Sequence, residues 1–288
     1  MPEGTTERQP ARETFGSRLA AAMAARGPLC VGIDPHPGLL ADWGLNDDVA
    51  ALERFSLTVV EAVASLAAAV KPQVALYERH GSAGMAVLER TLAAAADAGV
   101  LSIADAKRGD IGSTMAAYAD AWLRDGSALA ADSVTLSPYL GFESLRPALD
   151  LAAEYGRGVF VLALTSNPEG KSVQHVGGAD SVARRIAAAA AVENQRYTGS
   201  LGSVGLVVGA TIGSALQDLD VDLGAVRGPL LAPGLGAQGA TPADLRATFG
   251  TAYPSVLATS SRGILAAGPS LAGLRAATQE TLDGLLAA

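Results

Sequence analysis

Asp105, Lys107 and Asp110 fall within six positions, at the end of an apolar run that begins at Val100. Side chains on a strand alternate between faces, so Asp105 and Lys107 are expected to point the same way. If that face is buried, two opposite charges enter an apolar interior, which is costly unless they are paired and hydrogen-bonded. Lys71 lies near the start or middle of a second apolar run, "AVKPQVALY", and can reach the same place. A structural ion pair is the plain reading of Asp105 and Lys107. Two carboxylates and two ammonium groups at one pocket are more than packing requires. Fixed charges of this kind suit a reaction that develops negative charge in a site closed to water.

A second set of residues suits an anion. The stretch "APGLGAQGATP" supplies glycines whose backbone N–H groups can approach a phosphate closely, and Gln238 adds a neutral donor. Arg262 follows Ser261 in "TSSRG", and arginine suits bidentate phosphate recognition. Asp34 closes the run "LCVGID" and reads as a ligand for substrate or as a strand-end cap. Ser166, in "LTSNPEG", reads as a binding residue or a turn former. The three histidines, His36, His80 and His175, have no i, i+4 partner and no cysteine companion, so no metal site is expected. A Ser-His-Asp triad is equally unexpected, because no G-x-S-x-G elbow is present.

These residues need a frame that brings strand ends together. Eight short apolar runs recur, at 29–34, 69–77, 100–107, 131–138, 158–166, 203–210, 229–234 and 255–261. Segments with helical spacing lie between and after them, at 51–69, 79–97, 113–124, 141–155, 179–197, 211–219, 241–249 and 271–285, and one more precedes them at 12–26. Strand–helix alternation argues for parallel strands with helical crossovers, and eight such units in 288 residues predict a closed α/β (β/α)8 TIM barrel with an extra N-terminal helix. The expected organisation is one domain over 1–288, with residues 1–11 a flexible tail. An open doubly wound sheet is the alternative, but no G-x-G-x-x-G follows the first strand. Thr241 and Pro242 mark a helix start as N-cap and first helical residue. In such a barrel catalytic groups sit at the C-terminal strand ends, and phosphate binds after strands 7 and 8. Asp34, Asp105, Lys107, Ser166, the glycine loop and Arg262 all fall at those ends. The sequence leaves open whether the N-terminal helix caps the barrel floor or meets a partner. The role of the 167–178 loop is open as well.

Composition narrows the partners. The formal net charge is −8 and the pI about 4.9, which argues against nucleic acid and anionic membrane surfaces. No apolar run approaches the ~18 residues that a membrane span needs. The polar N-terminus lacks the apolar core of a signal peptide. The single cysteine, Cys30, excludes an intrachain disulfide and fits a reducing, cytoplasmic setting.

The stretch "DAKRGDIGST" resembles the D-x-K-x-x-D signature of the orotidine 5′-phosphate decarboxylase family. "FVLALTSNPEG", "APGLGAQG" and "TSSRGI" resemble that family's later motifs in the same order. "GIDPHP" and "VKPQVALYE" resemble its longer bacterial branch (type 2), so the likeness runs from about residue 29 to 265. The resemblance implies conversion of orotidine 5′-phosphate to UMP and CO2 in pyrimidine biosynthesis, with no metal and no organic cofactor. It implies that Lys71 organises the network and the ribose, that Asp105 stands beside the substrate carboxylate, and that Lys107 protonates the product carbon. It also implies a homodimer, in which Asp110 and Thr114 reach the partner's site. Asp34 would hold a ribose hydroxyl, Ser166 the pyrimidine, and Gln238 and Arg262 the phosphate. Position 167, where the better-known branch of the family differs, is Asn167 here.

Two other readings remain at this stage. The D-x-K-x-x-D signature is shared with metal-dependent sugar-phosphate decarboxylases and aldolases, which need a further carboxylate ligand, and Glu78 is the candidate. A non-catalytic phosphate-binding barrel is the third, although a binder of anions has little use for two carboxylates at its site.

Overall fold

The computed structural model describes residues 12–236 and 239–287. Eight strands form a closed parallel barrel in chain order. They are β1 (Leu29–Ile33), β2 (Ala69–Pro72), β3 (Leu101–Arg108), β4 (Ser133–Leu136), β5 (Gly158–Leu164), β6 (Val204–Val208), β7 (Leu230–Pro233) and β8 (Val256–Ser260). Closure is made by β1 on β8, with Cys30 opposite Thr259. Each strand is covered by helices outside and by the other strands inside. The runs are therefore continuously apolar and lack alternation, and β1, β6 and β8 are buried along their whole length.

Two apolar clusters result. The larger lies between strands and outer helices, with Phe55, Val59, Leu88, Met115 and Leu149 among its members. The smaller fills the barrel axis. There Phe15, Leu19 and Ala22 of the N-terminal helix (Phe15–Arg26) pack on Cys30, Ala69, Ile103, Phe160, Leu231 and Leu257. Phe15 meets Phe160 edge-on, with centroids 5.9 Å apart. Gly158 makes room for that ring, since a Cβ there would lie 2.1 Å from Phe15 Cδ1. The N-terminal helix thus plugs the barrel floor. The residues 1–11 expected to form a tail lie outside the described residues. Burial pushes the Cys30 thiol up to about 12, so it behaves as an inert apolar group.

Most predicted segments are present with shifted ends. The predicted strand 69–77 stops at Pro72, and the chain turns into a short helix, Ala75–Glu78. Tyr77 is thereby buried on the outer layer, against Ser56, where its hydroxyl finds a partner at 2.8 Å. The predicted helix 51–69 is Val49–Val63, started by Asp48, whose carboxylate accepts from the Ala51 N–H. Thr241 and Asp244 form a reciprocal capping box with Pro242 at the first turn, as the sequence indicates. Short helices after β1 (Pro37–Asp42), after β5 (Lys171–Gln174) and after β8 (Arg262–Leu265) have no periodic signal, because one turn is too short to show one.

Candidate active site

Lys71 is placed in β2 opposite Gly32 of β1 and is 5% exposed. Its Nζ donates to Asp105 Oδ2 at 2.8 Å. Lys107 Nζ donates to Asp105 Oδ1 at 2.6 Å. Gln73 Nε2 donates to Oδ2 at 3.1 Å, and Thr135 Oγ1 to Oδ1 at 2.9 Å. A carboxylate offers about four lone-pair sites, so these four donors saturate Asp105. Burial alone would raise the Asp105 pKa. The charges of Lys71 and Lys107 outweigh it and hold the carboxyl well below the usual range. Burial likewise opposes the Lys71 ammonium, but the charges of Asp105 and Asp34 overcome it and raise its pKa.

Strict alternation does not carry Lys107 to its place. The β3–β4 register breaks between Ala104 and Arg108, and Lys107 has φ 47°, in the left-handed region. That conformation costs a non-glycine residue roughly 1–2 kcal/mol. It is held by the Lys107 N–H, which donates to Thr135 Oγ1 at 2.9 Å. The Lys107 side chain stays 47% exposed, while that of Asp105 is 9% exposed. Of the two ammonium groups, Lys107 is therefore by far the more open to solvent.

The network lines a cavity of about 380 Å³ at the C-terminal ends of the strands. Its wall also contains Asp34, Ser166, Gly234, Ser261 and Arg262. Asp34 Oδ2 accepts from Ser261 Oγ at 2.5 Å, and its Oδ1 is buried without a partner among the described residues. The Arg262 guanidinium is exposed and makes no hydrogen bond or ion pair among the described residues. Gly234, Gly236 and Gly239 all have positive φ, so the loop after β7 needs glycine for its path. Gln238 lies outside the described residues.

Asp110 and Thr114 are not brought to this cavity. Asp110 accepts from the Ile111 N–H at 2.8 Å, and Thr114 is exposed at the start of the helix Gly112–Leu123. The four-charge network expected at one pocket is therefore a three-charge chain, Lys71–Asp105–Lys107, within one copy. The cause is that β3 ends at Arg108, and the next residues leave the barrel mouth before the helix starts. Glu78 is also outside the lining and is ion-paired to Arg108. Gln73 and Thr135 were not singled out in the sequence, and Ser261 was named there only as the neighbour of Arg262. Thr135 and Gln73 carry a weak signal, since each is a polar residue in an otherwise apolar strand run.

The comparisons agree with this geometry. The sequence profile of the orotidine 5′-phosphate decarboxylase / HUMPS family matches residues 27–277. The chain is 59% identical over 279 residues to the orotidine 5′-phosphate decarboxylase of Salinispora arenicola, covering 96% of this chain and 98% of that one. It is 59% identical over 267 residues to the Streptomyces coelicolor protein of the same name, covering 92% and 94%. Among solved structures, one from Streptomyces avermitilis superposes with a TM-score of 0.93 at 56% identity over 99% of both chains. The Leishmania donovani OMP decarboxylase gives 0.75 at 31% identity, over 95% of this chain and 98% of that one. By the reach of the profile and the closeness of these relatives, the chain belongs to the orotidine 5′-phosphate decarboxylase / HUMPS family.

Proposed function

We propose that the chain decarboxylates orotidine 5′-phosphate to UMP in pyrimidine biosynthesis, acting as a single-domain cytoplasmic enzyme with no metal and no cofactor. One observation carries this reading: a buried Lys71–Asp105 pair presents a half-exposed Lys107 ammonium to a nucleotide-sized cavity. The C6–CO2 bond breaks and CO2 leaves. The bonding pair stays on C6, in the ring plane, where the π system cannot take it. Lys107 sits where that charge develops and then gives C6 its proton. Arg262, Gln238 and the glycine loop hold the phosphate, Asp34 and Lys71 the ribose, and Ser166 the pyrimidine. Binding energy at the phosphate, remote from the bond that breaks, fixes the ring against Lys107.

The working enzyme is a homodimer in this reading, with Asp110 and Thr114 entering the site of the second copy. Their position outside their own cavity supports that assignment. The metal-dependent sugar-phosphate reading is weaker, because its candidate ligand Glu78 is engaged by Arg108 away from the cavity. The test is the absorbance of orotidine 5′-phosphate mixed with the protein in excess EDTA, beside Lys107→Ala. Loss of the substrate band with wild type alone is expected. An unchanged band with folded wild type would refute the proposal.

A further inference from the structure

We propose that Thr135 is a positioning residue of this centre, whose hydroxyl locks the Lys107 backbone and the Asp105 carboxylate into one arrangement. This rests on the decarboxylase reading above and adds a residue to it. The β3–β4 ladder pairs Ala104 with Val134 and then Arg108 with Leu136. Asp105, Ala106 and Lys107 on β3 thus face one residue of β4, Thr135. Thr135 is 1% exposed, and its hydroxyl lies 2.9 Å from both Asp105 Oδ1 and the Lys107 N. The hydroxyl has one proton, and an ionised carboxylate can only accept. The directions are therefore fixed: Thr135 donates to Asp105 and accepts from the Lys107 N–H. A side chain replaces the ladder bond that the bulge removes, and it holds Lys107 at φ 47°. The methyl group restricts χ1 and fixes the hydroxyl between its two partners.

Valine has the shape of threonine but neither accepts nor donates. In Thr135→Val the Lys107 N–H loses its acceptor, the backbone has no reason to stay in the left-handed region, and Nζ moves from its line to Asp105. A misplacement of about 1 Å at a reacting group can cost ~10²-fold, so kcat is expected to fall by about that factor. The KM should stay within roughly threefold of wild type, because the phosphate and ribose contacts in this reading come from residues in or just after β1, β2, β7 and β8, and none from Thr135. Thr135→Ser keeps the hydroxyl and should recover most of kcat.

The experiment measures kcat and KM for wild type, Thr135→Val and Thr135→Ser, and follows the Lys107 amide by NMR and hydrogen exchange. Support is a kcat loss in Val, recovery in Ser, and a Lys107 amide proton that shifts upfield and exchanges faster in Val only. Equal kcat in Val and wild type, a Ser variant as slow as Val, or a loss confined to KM would each overturn the proposal. If Val does not fold, Thr135→Ala and Thr135→Ser take its place, and equal rates in that pair overturn it. An inactive wild type whose Lys107 amide still shifts in Val would sink the decarboxylase reading and leave the bridge. An unshifted amide would sink the bridge whatever the activity.

Discussion

Replacing Lys71 and Lys107 one at a time should separate stability from chemistry. Lys71 is 5% exposed and bonded to Asp105, which is 8% exposed. Removing one partner of a buried pair costs ~3–5 kcal/mol. In Lys71→Met, Asp105 keeps three donors, and the thioether fills most of the vacated space, so about 3 kcal/mol is the reasonable expectation. For a chain of this size each kcal/mol moves Tm by ~2–4 °C, which gives a fall of roughly 6–12 °C. Lys107 is different. Its side chain is 47% exposed, water can replace it, and an ion pair so open to solvent contributes at most ~1 kcal/mol. Lys107→Ala should therefore melt within ~4 °C of wild type. Its turnover should nevertheless collapse. Loss of a preorganised electrostatic donor costs ~10²–10³, and loss of the proton donor ~10²–10⁴. Allowing for overlap between these, a fall of at least ~10⁴ in kcat is expected. Thermal unfolding by circular dichroism and the absorbance assay supply the two numbers. A Lys107→Ala variant that melts as low as Lys71→Met, or that keeps more than about one part in 10² of wild-type kcat, would refute this separation of roles.

Acid should weaken the centre in a defined window. The Asp105 carboxyl is depressed, so its contribution is complete above its unfolded value of ~3.9 and is lost as pH falls through the lower folded value. The Lys71 ammonium is raised, so its contribution is complete below its unfolded value of ~10.4 and is lost only at higher pH. Urea unfolding of wild type and Asp105→Asn should show a stability gap that is flat from pH ~5 to ~9 and narrows below pH ~4. A gap that widens in acid would contradict this. Arg262→Ala should raise KM by ~10–10²-fold, the worth of a charged hydrogen bond, with an unchanged melting curve because the guanidinium has no partner to lose among the described residues. Gly158→Ala drives a methyl into Phe15 and should cost ~1–3 kcal/mol by urea unfolding, with kcat unaltered because the floor lies opposite the site. Mixing inactive Lys107→Ala with inactive Asp110→Ala should restore about a quarter of wild-type activity, since half the random dimers are hybrids with one intact site. No recovery after subunit exchange would place Asp110 outside the partner's site.

The barrel was legible because its signal repeats. Eight apolar runs alternate with helical spacing, and the strands they form are buried over most of their length, so the runs stand out from the crossovers. Asp34, Asp105, Lys107, Ser166 and Arg262 were legible as charged or polar residues at or near strand ends, Lys71 as a charge inside an apolar run, and all six line one cavity. Alternation gave the right destination for Lys107 by a wrong route. Strict pleating puts its side chain beside Asp105, whereas the chain reaches that contact through a register break and a left-handed residue. No local pattern announces a bulge, because its stabilising partner, Thr135, is 28 residues away. The hydroxyl of Thr135 reads in sequence as an ordinary β-branched strand residue. Residue spacing alone put Asp110 at the same pocket as Asp105, and within one copy it lies outside that pocket for a related reason. Proximity in sequence to Asp105 implied proximity in space, but the end of β3 at Arg108 turns the chain out of the mouth.

The charge count of the centre bears on how it works. Within one copy Lys71, Asp105 and Lys107 supply two positive groups and one negative, and the Asp34 carboxylate faces Lys71 from the same cavity. Asp105 is saturated by its four donors, so its negative charge is spread into the network. An arrangement built to repel a substrate carboxylate would leave that carboxylate unscreened. This one screens it on both oxygens and turns the free ammonium outward to the cavity. A second copy's Asp110 would add a further negative charge, and an array of charges fixed by hydrogen bonds has little side-chain reorganisation to make when charge appears on C6. Of the two accounts, ground-state repulsion and stabilisation of the developing carbanion, the geometry therefore favours the second. Under the proposed decarboxylation, Asp105 would act mainly by holding Lys71 and Lys107 in place.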